Sequence, residues 1–184
     1  HGIDYLVLPE SMNYLKANDI ISYADDGSVW VVFRSSAKYN TFLLTEQCNH
    51  LCLMCSQPPK NINDSWLLEQ AMAAIDLIPK NTTRMGFSGG EPTLYGDGLV
   101  DLIEKCSGIL PYTMIDILTN GRAFANPKYA TRLASVDHNN CMICIPVYSD
   151  VPEIHDYVVQ SKGAFDETIE GILNLKALNQ KVEI

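Results

Sequence analysis

The segment Cys48-Asn49-His50-Leu51-Cys52-Leu53-Met54-Cys55 sets three thiols within eight residues of a chain that holds six cysteines in 184 positions. Thiolates are soft ligands for zinc and for iron–sulfur clusters, and so dense a group points to a metal or cluster site rather than to chance. His50 offers a way to complete a tetrahedral Cys3His zinc set, although the close spacing makes such a loop cramped. A 4Fe–4S cluster is ordinarily held by four thiolates. A loop that supplies three leaves one iron open to an outside ligand, and an open iron indicates catalysis rather than electron storage. Three unliganded core cysteines fit poorly with a loop that runs on into Ser56-Gln57-Pro58-Pro59. Further along, Ser88-Gly89-Gly90-Glu91 joins glycines, which let backbone approach a ligand, to a carboxylate able to accept hydrogen bonds from an ammonium group. On its own, a Gly-Gly turn between strand and helix is commonly structural. Cys141 and Cys144 make another Cys-x2-Cys, but residues three apart on a strand point to opposite faces, so no joint site is expected there. Cys106, near a helix end, is expected in the core.

These residues need a frame, and the hydrophobic rhythm supplies one. Residues 1–40 read as a small antiparallel β module, clearest in Ile20 to Tyr23 and Val29 to Phe33 around the turn signal Asp25-Asp26-Gly27. From residue 41 the pattern alternates. A short strand at Phe42 to Leu44 leads into the cysteine loop, and a helix begins at Asp64 or Ser65, spaces Leu68, Ala71, Met72, Ile75 and Ile78 on one face and ends at Pro79. Strand Met85 to Phe87, helix Leu99 to Cys106, strand Met114 to Leu118, helix Lys128 to Leu133 and strand Cys141 to Val147 follow. After a long loop comes a helix over Phe165 to Asn179 with Ile169, Ile172 and Leu173 on one face. Four strand–helix alternations predict an α/β fold, a mostly parallel sheet covered by helices with its ligand site at the carboxyl ends of the strands. Lys181 to Ile184 reads as the opening of a fifth strand. The chain also begins at His1-Gly2 without an initiator Met, so the reading is a partial barrel that belongs to a longer protein.

Composition narrows the classes. With 47% hydrophobic and 19% charged residues the chain has apolar material for a packed core. A net charge of -9 argues against nucleic-acid and anionic-membrane partners, which depend on clustered Lys and Arg. No apolar run is long enough to span a bilayer. Six cysteines without a secretory leader pattern suit a reducing, cytoplasmic setting.

Cys-x3-Cys-x2-Cys after the first strand of a βα series resembles the radical S-adenosylmethionine (SAM) superfamily, over residues 41–184. The resemblance implies a partial (βα) barrel and a 4Fe–4S cluster on Cys48, Cys52 and Cys55, with SAM on the open iron and no catalytic side chain beyond the cluster ligands. It implies SAM contacts from Gly89, Gly90 and Glu91, which match the family's Gly-Gly-Glu motif, and from Met54, where relatives usually carry an aromatic residue near the adenine. Thr119-Asn120-Gly121 is similar to a turn found in many relatives; it reads equally as a ligand contact through Asn120 and as a turn chosen for left-handed backbone angles. Ser149 is the candidate near the ribose or carboxylate of SAM, although Tyr148-Ser149-Asp150 departs from the common Ser-x-Asp-Gly. Glu153-Ile154-His155-Asp156 and Gly163-Ala164-Phe165 resemble the peptide-modifying branch, most of all the His-Xaa-Ser system radical SAM maturases. There His155 reads as a loop-orienting residue rather than a proton carrier. The implied partners are a ribosomally made precursor peptide, whose leader could pair with an exposed edge strand of residues 1–40, and a one-electron reductant such as a flavodoxin or ferredoxin. Cofactor biosynthesis, RNA modification and a non-catalytic zinc or iron–sulfur domain are the alternatives.

Overall fold

The computed structural model describes residues 7–184, so the first six residues of the expected 1–40 module lie outside it. Strands β1 (Ile20–Tyr23) and β2 (Val29–Phe33) form a separate antiparallel pair. Its turn is fixed by the Asp26 carboxylate accepting the Ser28 N–H at 2.8 Å and by Gly27 at φ 85°. Phe33 is buried in the main core and ties the hairpin to the rest of the chain. Then follow β3 (Asn40–Leu43), α1 (Trp66–Ile75), β4 (Arg84–Ser88), α2 (Asp97–Ile109), β5 (Met114–Leu118), α3 (Pro127–Ala134), β6 (Cys141–Cys144), α4 (Pro152–Val159), α5 (Ala164–Ala177) and β7 (Lys181–Glu183).

Strands β3 to β7 lie side by side in chain order, all parallel. The two-residue period of a strand sorts their side chains. Met85, Phe87, Ile115, Ile117 and Ile143 are fully buried in the core they share with Leu99, Leu102, Ile103 and Leu175 of the helices. Each such burial is worth about 1.5–3 kcal/mol. The alternate residues Arg84, Ser88, Asp116, Leu118, Cys144 and Glu183 line a cavity instead. The sheet is thus half core and half site.

Three expectations change in detail. The long loop after β6 contains α4, which starts with Pro152 at its first turn followed by Glu153, and stops at Gln160 in the left-handed conformation, φ 54°. Its buried face is only His155 and Val159, too sparse a stripe to register as a helical period. Strand β6 ends at Cys144, not Val147, although the Ile145 N–H still donates to the Glu183 carbonyl; Pro146 then lacks the donor to go further. On α5, Ile172 is buried but Leu173 is exposed, because neighbours on a helix diverge by a quarter turn or more. The inward face continues through Thr168, Gly171 and Leu175.

Candidate functional site

The cysteine loop is held on two sides. On one, pairing between β3 and β4 runs on past the strands: Leu44 N–H donates to Ser88 O at 2.8 Å, Gly90 N–H to Thr45 O at 2.7 Å and Glu91 N–H to Gln47 O at 2.8 Å. This explains the glycines in mechanical terms. A Cβ on Gly89 would strike the Thr45 carbonyl, and one on Gly90 the Gln47 carbonyl, while Gly89 also takes φ 149°. On the other side, Leu51 N–H donates to Val159 O and Leu53 N–H to Val158 O, stitching the loop to the end of α4.

Two buried carboxylates anchor the entrances to this arrangement. Asp64, just before α1, accepts from Glu46 N–H, Thr45 Oγ1, Gln47 Nε2 and the Tyr95 hydroxyl. Burial alone would push its carboxyl up; those hydrogen bonds outweigh it and hold the group below the usual carboxylate range. Glu91, 1% exposed, accepts on Oε1 from Thr93 N–H and from the Thr93 and Thr119 hydroxyls, and on Oε2 from Asn120 N–H at 2.6 Å. Its carboxylate therefore joins the β4 turn to the β5 turn, and the part of the Gly-Gly-Glu motif that borders the cavity is Gly89 and Gly90.

At the carboxyl ends of the strands, Cys48, Cys52 and Cys55 share one cavity of about 640 Å³ with His50, Gly89, Gly90, Thr119, Asn120 and Tyr148. All three thiols are free. Burial first, and then the nearby Glu91 carboxylate and the other two sulfurs, push the Cys48 thiol up, with the His50 N–H opposing; burial and then Cys55 do the same to Cys52. Thiols crowded in this way need a positive counter-charge to bind as thiolates, which iron ions supply. Among the described residues no three His, Cys, Asp or Glu side chains gather about one point for a single ion. A cubane takes each thiolate on a different iron and needs no such convergence. Three thiols bordering one cavity are the donor chemistry that such a cluster takes. His50 is buried, burial holds its imidazole down at about 4, and its Nε2 has no partner. It lines the cavity as a neutral ring.

The other expected site residues separate. Asn120 lines the cavity, its amide donating to Asn49 Oδ1 at 2.7 Å and its own Oδ1 accepting the Arg122 N–H. The left-handed turn is present, since Gly121 adopts φ 82°. Met54 is 54% exposed and not among the lining residues. Ser149 is likewise outside the lining and accepts the Val151 N–H on its hydroxyl at 3.0 Å, in the turn before α4. Asp156 accepts the Gly163 and Phe165 N–H groups at the start of α5, and His155, buried, accepts the Tyr148 N–H on Nδ1 and sets its ring edge-on to Phe165 at 5.7 Å. The His-Asp and Gly-x-Phe motifs thus build one turn. Cys144 borders the cavity while Cys141 packs on the core, the divergence expected of them, and Cys106 is fully buried.

Residues that the sequence reading passed over also belong here. Arg122 pairs with Glu167 at 2.5 Å and donates to Asn49 O and Ser161 Oγ, bracing the cysteine loop from outside. Arg84 and Asp116 face the cavity floor. Asp116 had a legible signal: it is the lone charge in Met114-Ile115-Asp116-Ile117-Leu118, on the face opposite the isoleucines.

A family model described as the Radical SAM superfamily matches residues 42–184. The GTP 3',8-cyclase of Streptomyces coelicolor is 30% identical over 106 residues, 53% of this chain and 30% of that protein. The S-adenosylmethionine-dependent nucleotide dehydratase RSAD2 of Oncorhynchus mykiss is 30% identical over 102 residues, 53% of this chain and 28% of that one. The GTP 3',8-cyclase of Aquifex aeolicus is 28% identical over 147 residues, 77% and 44% of the two chains. This chain therefore spans less than half the length of these curated relatives. Among solved structures, native anSMEcpe with bound AdoMet aligns at TM-score 0.56 and 17% identity over 78% of this chain and 42% of that one, and the same protein with AdoMet and Cp18Cys peptide at 0.57 and 18%, over 78% and 41%. At those identities the likeness is one of fold.

Proposed function

The chain belongs to the radical SAM superfamily, and from that premise we propose that it binds a 4Fe–4S cluster through Cys48, Cys52 and Cys55 and removes hydrogen from a ribosomally made precursor peptide. The cofactors of this superfamily are that cluster and SAM; together, when bound, they supply one-electron cleavage of the sulfur–C5' bond of SAM to a carbon radical able to attack an unactivated C–H bond. The residues of this chain bind and orient. Gly89 and Gly90 offer backbone that a ligand's ammonium group can approach, and Asn120 offers an amide on the same wall. Glu91 keeps the two turns that carry these groups in register, and the apolar wall at Leu118, Ile145 and Val159 limits water. The observation that carries the reading is the meeting of three thiols from one loop with the Gly89–Gly90 backbone in a single cavity.

Support for a peptide substrate comes from the His155-Asp156 and Gly163-Ala164-Phe165 motifs. A nucleotide substrate is the second reading, favoured by the names of the 30%-identical relatives. A one-electron reductant and a reducing compartment go with either; among the described residues no helix is long and apolar enough to cross a membrane. Anaerobic reconstitution of the natural full-length protein tests the core claim: about four irons per chain and dithionite-dependent formation of 5'-deoxyadenosine are expected. Colourless, zinc-loaded protein would sink it. Incubation with the precursor peptide should give a product about two hydrogens lighter by mass spectrometry; turnover of GTP with an unchanged peptide selects the nucleotide reading instead.

A further inference from the structure

The floor of the cavity carries polar groups that radical generation does not use. Arg84, Asp116 and Glu183 stand on the cavity side of β4, β5 and β7, and Tyr39 reaches in from the residue before β3. Asp116 lies level with Gly86, where a Cβ would run into the Tyr39 hydroxyl, so the glycine makes the space that Tyr39 occupies. The Asp116 carboxylate is 2% exposed. Its Oδ2 accepts from Arg84 Nε at 2.6 Å, and its buried Oδ1 has no partner. The Arg84 guanidinium lies over the Tyr39 ring, 5.5 Å from its centre. Held from two sides, the guanidinium makes no hydrogen bond through its terminal nitrogens among the described residues, although nearly half of the side chain is exposed. Burial first, and then the Asp116 charge and the contact of the hydroxyl with that carboxylate, push the Tyr39 phenol up to about 12, so it keeps its proton and holds it toward Asp116. Glu183 places a second carboxylate beside Cys144, 4.0 Å from its sulfur.

A structural ion pair would account for Arg84 and Asp116 alone, but not for free terminal guanidinium donors on the cavity side beside a buried carboxylate oxygen that makes no hydrogen bond of good geometry. The charges also select the occupant. Two carboxylates against one guanidinium repel an anion, while Arg84 disfavours a simple cation. A neutral group with a carbonyl for Arg84 and an N–H for a carboxylate satisfies both. We infer that Tyr39, Arg84, Asp116 and Glu183 form a subsite for an uncharged amide of the substrate, either a backbone peptide amide or a side-chain carboxamide. The inference rests on the peptide reading given above and narrows it.

The test uses the full chain without iron, labelled with 15N-arginine, and follows the Arg84 Nε–H resonance, assigned by its loss in Arg84→Lys. N-acetylglycine N-methylamide is expected to shift that resonance saturably, about fivefold more weakly in Asp116→Asn and about threefold in Glu183→Gln. Tighter binding of this diamide than of propionamide assigns a backbone amide, and the reverse a carboxamide; both support the subsite. Saturation by acetate or inorganic phosphate at lower concentration, no saturable shift, or unchanged affinity in the variants overturns it. If Asp116→Asn does not fold, Glu183→Gln decides. Because iron is absent, amide binding and cleavage of SAM succeed or fail separately.

Discussion

Glu91 and Asp64 show how much of this site depends on buried carboxylates whose hydrogen bonds tie its turns together. Every partner of Glu91 is a donor, and the Asn120 N–H points at Oε2. A Glu91→Gln substitution keeps one carbonyl for Thr93 and Thr119 but sets an NH2 group against the Asn120 N–H, two donors face to face. A loss of about 1–3 kcal/mol is expected in urea unfolding. Asp64 is surrounded by donors in the same way. Its folded carboxyl titrates below its unfolded value of about 3.9, so its contribution is complete above that value and fades as pH falls through the folded one. The stability gap between wild type and Asp64→Asn should therefore be constant near neutrality and close below about pH 4, as measured by thermal unfolding across pH. A gap that widened in acid would reverse the sign of this argument. Neither role was legible in the sequence: Gly-Gly-Glu resembles a ligand-binding motif, and Asp64 looked like an ordinary start to a helix. Side-chain direction at a turn depends on partners far along the chain, and a local reading does not contain them.

At the scale of elements, strands and helices followed from spacing because each buries one face with its own period, and the parallel order followed from their alternation. What did not follow was α4, with two buried residues in eight, and the point where β6 stops. The same scale explains why Gly90 cannot change. The β4 turn and the cysteine loop run backbone against backbone there, so Gly90→Ala must separate them. We expect about 1–3 kcal/mol of destabilisation from overpacking, together with reduced iron uptake on reconstitution. Gly108→Ala, in α2 with open space around its Cβ position, is the control and should stabilise by a few tenths of a kcal/mol to about 1 kcal/mol. An effect of Gly90→Ala as mild as that of Gly108→Ala would mean that the turn and the loop separate at little cost and that close approach does not govern the site.

For the molecule as a whole, the arrangement separates stability from cofactor loading. The core lies on the helix side of the sheet and the thiols on the other, at the strand ends. Substituting Cys48, Cys52 or Cys55 by Ser should abolish a stable cluster, read as the loss of broad visible absorption, while circular dichroism of the iron-free chain stays unchanged. Cys106→Ala should do the opposite: about 1 kcal/mol of stability lost from a filled core position, iron content intact. Cys106 and the loop thiols were distinguishable in the sequence by their setting alone, one in a helical pattern and three in a loop. The meeting of Arg84 with Asp116 in the polar floor was not, because it depends on the register between neighbouring strands, even though Asp116 stands out as a lone charge.

The stitches from Leu51 and Leu53 to Val159 and Val158 have a bearing on how the protein is made. They fasten a segment near the front of the sheet to one synthesised about a hundred residues later, so the thiols take their places only once the chain through α4 has left the ribosome and docked. Metal arrival is then expected to follow the folding of this part of the scaffold, unlike the small zinc modules in which the ion itself drives ordering. A cellular iron shortage should accordingly leave an intact, waiting acceptor rather than debris for proteases.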